Sequence, residues 1–222
     1  MHRSESTKYI SNNSFQRALA NGEISSLGYG FVTVPALARL TLKTDEITEK
    51  INALLNSLAL PPKRVVFSSR SLNPFINHLI TTPTYIVEVE KDSMEIVFDM
   101  LRNEFPGKAL WAPNEKEILR YGWPGTIWLY PLLTKSPTLK DGSISIEKLI
   151  VDLICNPHYS RLFSGADIEQ ALFFLPKRYE INFRTLFSYA KRKGKQKVVY
   201  DQLGKCLGES YREIMYVAQT KL

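Results

Sequence analysis

The segment Tyr85–Lys91 (YIVEVEK) carries the acids and the lysine that come closest to a catalytic pattern in this sequence. Metal-dependent nucleases place carboxylates and a lysine at the end of a central strand, where they bind a divalent ion. Because side chains alternate along a strand, Glu88 and Glu90 are predicted to share one face, with Lys91 pointing away. The acid-x-lysine spacing of those nucleases is not met. Paired polar positions at the end of a sheet are therefore the simpler interpretation, and metal-dependent nuclease activity is the alternative.

Other common catalytic patterns are missing from the sequence, which has neither a GxxxxGK[ST] phosphate-binding loop nor a GxSxG nucleophile motif. The residues that most often bind transition metals stand alone in sequence: His2, His78, His158, Cys155 and Cys206. On the helix predicted over 146–154, Glu147 and Asp152 lie about 140° apart around the axis, which disfavours a shared metal ion. We therefore expect a protein that is not an enzyme and that holds no metal or cofactor.

Positive charge is concentrated at the C-terminal end. The chain has 29 Lys and Arg residues against 22 Asp and Glu, a net charge of +7, and the whole excess lies in residues 177–222. The densest run is Lys191, Arg192, Lys193, Lys195 and Lys197. Such a field favours phosphate backbones or another acidic surface. We predict that these cations and Arg184 contact nucleic acid or a partner, the plainer alternative being a solvated helix face.

A second candidate for nucleic-acid contact lies near the N-terminus. Residues 14–21 (SFQRALAN) are predicted to form a helix with Gln16 and Arg17 on its polar side, and such side chains can read base edges. Two strands, 23–26 and 31–34, are predicted around a turn that contains Tyr29, because Gly28 and Gly30 permit the positive φ angles of a tight hairpin. Such a hairpin can lie along a DNA groove, as the wing of a winged helix does.

Strands and helices alternate in the middle of the chain. Strands are predicted over 64–68, 84–90, 109–112 and 127–130, and helices between them. Three helix starts carry capping residues: Thr44, Asp92 with Glu95, and Asn114 with Glu117. Further helices are predicted over 74–80, 146–154, 166–174, 182–193 and 196–207. The pattern predicts an α/β (α+β) fold, a small mixed sheet flanked by helices, with an N-terminal helix and hairpin and a helical, basic C-terminus.

Five segments resemble the antitoxin and transcriptional-regulator proteins of AbiE-type abortive infection systems, the AbiEi-like family. They are NGEISSLGYGFVTV, SSRSLNPFINHL, YIVEVEKD, IEKLIVDLI and YEINFRTLFSYAKRKGK. The resemblance implies an N-terminal winged helix that binds promoter DNA and a C-terminal domain that counters a nucleotidyltransferase-like toxin. In that type IV antagonism the two proteins need no stable complex, and the system serves in phage defence.

The resemblance also implies a division of the chain. Residues 1–36 would be a partial winged helix and residues 37–222 the antitoxin domain, with an α/β part over 37–140 and a helical part over 141–222. Only 21 residues precede Gly22, room for one helix, so the chain starts late or its DNA-binding module has decayed. With neither a membrane-length apolar stretch nor a secretory signal, a cytoplasmic protein with no membrane partner is expected. The other alternative to the antitoxin function is a protein-binding module whose basic C-terminal end docks on an acidic protein.

Overall fold

The computed structural model describes residues 38–208 and, as backbone, two strands that precede them. The strands are β1 (Ser25–Gly28), β2 (Phe31–Thr33), β3 (Arg64–Ser68), β4 (Tyr85–Val89), β5 (Ala109–Trp111) and β6 (Ile127–Pro131). β1 and β2 form an antiparallel pair. The other four form a sheet in the order β3, β4, β6, β5, with β3 antiparallel to β4 and the remaining pairs parallel.

Eight α-helices lie within residues 38–208. They are α1 (Glu46–Asn56), α2 (Met94–Glu104), α3 (Glu115–Tyr121), α4 (Ile146–Cys155), α5 (Tyr159–Leu162), α6 (Gly165–Arg178), α7 (Phe183–Arg192) and α8 (Gln196–Leu207). The predicted small mixed sheet flanked by helices is therefore confirmed. None of these helices is both long and apolar enough to cross a membrane.

Contacts divide the chain into two units. The first contains the antiparallel pair β1 and β2, in which Gly28 lies opposite Phe31, and a bridge between Ala38 and Tyr179. The predicted ribbon is thus confirmed, with its first strand two residues later than expected. The predicted helix over 14–21 lies outside the described residues. The second unit begins at Leu40 and contains the main sheet together with most of the helical residues.

The core of the second unit covers both faces of the main sheet. Because side chains alternate along a strand, Val87 and Leu129 face one way and pack with Ile51 of α1 and Leu101 of α2. The other face carries Phe67, whose ring stacks on Tyr159 of α5 at 5.3 Å between centroids. Burial on both sides explains why β3 and β4 read as short apolar runs rather than as alternating patterns.

Two of the predicted helix starts are wrong. The side chain of Asp45, not of Thr44, caps α1, accepting a hydrogen bond from the backbone N–H of Thr48 at 2.9 Å. The expected cap at Asp92 is absent, since a short 3-10 turn occupies Lys91–Ser93 and α2 follows it directly. Thr44 and Asp45 are both residue types that cap helices well, so the sequence alone could not decide at which of them α1 starts.

The third predicted start is confirmed. The side chain of Asn114 accepts from the backbone N–H of Glu117 while the Glu117 carboxylate accepts from the N–H of Asn114, a complete capping box for α3. The helix predicted over 74–80 is wrong, because the chain forms a 3-10 helix over Ser69–Phe75 that includes Pro74. Helix α5 was not predicted.

Candidate functional site

A lysine of α4 is buried in the second unit and reaches strand β4. The side chain of Lys148 is 1% exposed. Its ammonium donates to Glu88 Oε1 at 3.0 Å, to Asp152 Oδ2 at 2.7 Å and to the hydroxyl of Tyr189 at 3.0 Å. All three N–H groups therefore have acceptors, which a buried ammonium requires.

Three elements position this cluster by their regular geometry. Strand β4 points Glu88 to the sheet face opposite Val87 and Val89. Helix α4 supplies Lys148 and Asp152, four residues apart and hence on one face, and α7 packs against α4. Helix α7 supplies Tyr189, and the C-cap residue Lys193 follows one turn later.

Asp152 connects the buried lysine to the end of α7. Its Oδ1 accepts from the hydroxyl of Tyr189 at 3.2 Å and pairs with the ammonium of Lys193, whose side chain is 20% exposed. Asp152 itself is fully buried. We call Glu88, Lys148, Asp152, Tyr189 and Lys193 the buried network. It contains two cationic and two acidic side chains, so its formal charges balance.

The ionisation of the network follows from its geometry. Burial alone lowers the pKa of Lys148, but the carboxylates of Glu88 and Asp152 outweigh it, so this pKa lies well above its usual value. Burial raises the pKa of Glu88, with the ammonium of Lys148 opposing. Lys148 is thus charged across the physiological range. Its charge, however, is enclosed by its own partners and is not presented to solvent.

Two aromatic hydroxyls complete the surroundings of the network. Tyr159 is fully buried, burial raises its pKa well above the usual value, and its hydroxyl has no hydrogen-bond partner in the described residues. The hydroxyl of Tyr130 donates to the carbonyl of Pro113 at 2.8 Å and lies 3.1 Å from Nδ1 of His158. Burial lowers the pKa of His158, with Lys193 acting in the same direction, so this imidazole is neutral at pH 7.

The two glutamates predicted to share a strand face are in different environments. Glu88 belongs to the buried network, whereas β4 ends at Val89 and Glu90 is exposed beyond it. The carboxylate of Glu90 accepts from the backbone N–H of Lys63 at 3.3 Å. Among the described residues no group of three or more His, Cys, Asp or Glu side chains could hold a metal ion. The geometry does not assemble Glu88 and Glu90 into one site.

The C-terminal cations occupy a corner where α7 ends, Gly194 adopts a φ of +66°, and α8 begins. We call the segment from Lys191 to Lys197 the basic corner. Arg192 donates to the carbonyls of Thr134 and Lys135, at 3.3 and 2.8 Å, and Lys193 is held by Asp152. Lys191, Arg192, Lys195 and Lys197 are exposed, and of these four only Arg192 donates to another segment of the described residues.

The remaining predicted binding residues are placed as follows. Arg184 is exposed on α7, seven residues before Lys191 and therefore on nearly the same helix face. Gln16, Arg17 and Tyr29 lie outside the described residues. Five of the six cations predicted over residues 184–197 are exposed, and the sixth, Lys193, is half-buried. Arg192 and Lys193 make contacts with other segments, which leaves four exposed cations as the candidate contact set: Arg184, Lys191, Lys195 and Lys197.

Sequence reasoning missed the role of Lys148. A signal was present in the helix IEKLIVDLI, where a lysine and an aspartate stand four residues apart among almost uninterrupted apolar residues. An amphipathic surface helix has a wide polar face, whereas α4 has too little polar surface for that. Charged residues in such a helix indicate an internal ion pair. The sequence could not show that Glu88 of β4 is also a partner of Lys148.

Comparison with known proteins gives a family without an assigned role. A search of the curated proteins found no match to this chain. The sequence model of DUF6577, described as a family of unknown function, matches residues 12–208, which include the whole buried network and the basic corner. The chain therefore belongs to the DUF6577 family.

Proposed function

We propose that this chain is a non-enzymatic, cytoplasmic regulator of the AbiEi-like antitoxin kind, and that it contacts nucleic acid through its basic corner. The observation that carries the contact is the exposure of Lys191, Lys195 and Lys197 within seven residues that contain no acid. Lysines in such a cluster engage successive phosphates without reading the base sequence.

The basic corner is held in place by contacts that do not use the exposed lysines. Arg192 and Lys193, which directly precede the turn at Gly194, bind a backbone carbonyl of Lys135 and the carboxylate of Asp152. Anchoring of this kind lowers the conformational entropy that is lost when a phosphate backbone binds. Two residues thus anchor the basic corner while its exposed lysines remain available to a ligand. This arrangement supports a binding surface rather than a run of solvated lysines.

The buried network supports a role other than catalysis. Lys148, Glu88 and Asp152 are nearly inaccessible and donate to or accept from one another, so none of them is available as a nucleophile or a base for an outside substrate. Their arrangement stabilises the contact between β4, α4 and α7. Two further parts of the proposal rest on the resemblance of the five segments to AbiEi-like proteins. They are antagonism of a nucleotidyltransferase-like toxin and repression at a promoter.

The decisive experiment replaces the three exposed lysines by alanine in one variant, Lys191→Ala/Lys195→Ala/Lys197→Ala. Binding to a DNA duplex is measured by fluorescence anisotropy over a salt series. The slope of log K against log salt is expected to become shallower by about 2 to 3, since roughly 0.9 is lost for each phosphate contact. Affinity at low salt should fall for all sequences alike.

The matched control removes the same charge elsewhere in the second unit, as Lys43→Ala/Lys108→Ala/Lys116→Ala, at three exposed lysines. Its salt slope should stay within about 0.5 of that of the parent. Equal slopes for both triple variants would show that only net charge matters and would remove the basic corner as a site. Co-purification of an acidic protein that survives nuclease treatment and needs the three lysines would instead establish the protein-docking alternative.

The antitoxin role is tested separately in cells. Where a nucleotidyltransferase-like protein is encoded beside this gene, its expression alone should arrest growth, and co-expression of this chain should restore growth. The nuclease alternative predicts cleavage of nucleic acid with Mg²⁺ or Mn²⁺ that is lost in Glu88→Gln. We expect no cleavage of nucleic acid by the parent chain or by Glu88→Gln.

A further inference from the structure

A cavity of about 430 Å³ is lined by residues that belong neither to the basic corner nor to the buried network. It is bounded by the last residue of α1, by the start of β3 and by the loop that precedes α4. The lining residues that matter are Asn56, Lys63, Arg64, Lys140 and Gly142. A cavity of this volume is large enough to bind a small molecule.

The cavity is lined by three cations and no acid. Arg64 is 8% exposed, yet among the described residues its guanidinium donates only to neutral amides, from Nε to Asn52 Oδ1 at 3.1 Å and from Nη2 to Asn56 Oδ1 at 2.6 Å. Asp141 acts on it only at longer range, and burial keeps the pKa of Arg64 below its usual value. A buried cation without a carboxylate partner is an unusual and costly arrangement.

The amide of Asn56 has a fixed orientation. Because arginine can only donate, the oxygen of Asn56 must face Arg64. The –NH₂ group of the same amide therefore faces away from the guanidinium, in a residue that lines the cavity. Arg64, Lys140 and Asn56 together offer donors of hydrogen bonds and two positive charges, a combination suited to phosphate oxygens.

The loop over the cavity is pinned to the sheet. The carbonyl of Gly142 accepts from the N–H of Val66 at 2.9 Å, and Gly142 adopts a φ of +82°. A Cβ at this position would lie 3.0 Å from Nε of Arg64 and 2.9 Å from Oδ1 of Asn52. Only glycine allows the backbone to approach the guanidinium this closely, so Arg64 is held from both sides.

We propose that this cavity binds a small phosphorylated molecule, with its phosphate against Arg64, Lys140 and the amide of Asn56. Lys63, whose ammonium donates to the carbonyl of Ser136 at 3.3 Å, adds charge at the edge. The volume exceeds that of a lone phosphate, and Pro61, Pro62 and Leu139 supply apolar surface for the rest of the molecule. This site uses none of the residues of the basic corner and does not depend on the function proposed above.

The test uses the full chain and isothermal titration with inorganic phosphate, pyrophosphate, AMP and ATP at one fixed ionic strength. At least one of these probes should bind with one-to-one stoichiometry. Lys140→Ala, a change at an exposed position, should weaken that binding at least about tenfold, and Lys140→Arg should restore most of it. Asn56→Ala should weaken it about fivefold, as expected for the loss of hydrogen bonds to a charged ligand.

Three outcomes would overturn the proposal. The first is that none of the four probes binds. The second is that binding is equal in the parent and in Lys140→Ala. The third is that a short oligonucleotide displaces the probe and that the basic-corner triple variant weakens both ligands alike, which would make the cavity part of the nucleic-acid surface. Loss of probe binding in Lys140→Ala with unchanged DNA binding would support two separate sites.

Discussion

Lys148 shows what a single buried charge demands of its neighbours. Removing an ammonium and two carboxylates from water costs several kcal/mol for each ion, and the ion pairs offset this only when every donor and acceptor is satisfied. Here Glu88, Asp152 and Tyr189 meet that condition at 2.7 to 3.0 Å from the ammonium. The balance is sensitive, because loss of one member leaves the others buried without compensation.

We therefore expect Lys148→Met to lower the free energy of unfolding by about 3–5 kcal/mol, since it leaves two carboxylates next to one remaining cation. Urea denaturation at pH 7 measures this. Lys116→Met, at an exposed position on α3, should change the stability little. Adding Glu88→Gln to Lys148→Met should recover part of the loss, and a double variant less stable than the single one would contradict this account.

Asp167 at the start of α6 gives a pH-dependent prediction. Burial alone raises its pKa, but hydrogen bonds from Ser164, His78 and Asn77 outweigh burial and lower the pKa to about 2. The unfolded value is about 3.9, so the ionised carboxylate stabilises the fold above pH 4, and this contribution is lost as the pH falls through about 2.

Asp167→Asn should accordingly destabilise the protein at pH 6 and approach the parent in stability near pH 2.5, as measured by urea denaturation at each pH. Ser164→Ala removes the 2.6 Å hydrogen bond to the carboxylate and should reduce the pH dependence without abolishing it. A stability difference between Asp167→Asn and the parent that is constant from pH 6 to pH 2.5 would show that the carboxylate is not the titrating group.

At the scale of elements, two helices meet through matched pairs of residues. Helix α4 presents Lys148 and Asp152, and α7 presents Tyr189 with Lys193, each pair four residues apart. Equal spacing places the two pairs side by side where the helices pack. The polar contact fixes which turn of α7 lies against which turn of α4, a choice that apolar packing alone leaves less defined.

Tyr189→Phe tests this contact, because it removes only the hydroxyl between Lys148 and Asp152. The expected loss of unfolding free energy is about 1–3 kcal/mol, with faster amide exchange in α7 than in the strands. Tyr200→Phe on α8, outside the buried network, is the matched control and should have little effect. Equal exchange in α7 for both variants would contradict the assignment.

How much of the fold was predictable depended on the range of the interactions involved. The strand around Val87 and the capping box of Asn114 are local in sequence, and both were predicted. The contact between Glu88 and Lys148 joins positions 60 residues apart, and no local pattern specifies it. For the same reason Lys193 was predicted to contact nucleic acid or a partner, whereas its ammonium pairs with a buried aspartate on a neighbouring helix.

At the scale of the whole molecule, the division into two units has a measurable consequence. The sheet, its core and the buried network all lie in the unit that begins at Leu40. A fragment over 40–222 loses from the described residues only the strand pair and the contacts of Ala38 and Arg39. We expect it to unfold in one cooperative transition by circular dichroism, with a midpoint within about 5 °C of that of the full chain. A fragment without a thermal transition would show that residues 1–39 are required for folding.

The neutrality of the buried network also bears on how this family can change over time. A substitution at Glu88, Lys148, Asp152 or Lys193 alone leaves net charge in the interior, whereas a second substitution that restores the balance removes the defect. A substitution at one of these four positions should therefore be selected against unless a compensating substitution accompanies it. In descendants of a common ancestor these four positions are expected to be inherited as one set, either retained together or exchanged together for apolar residues.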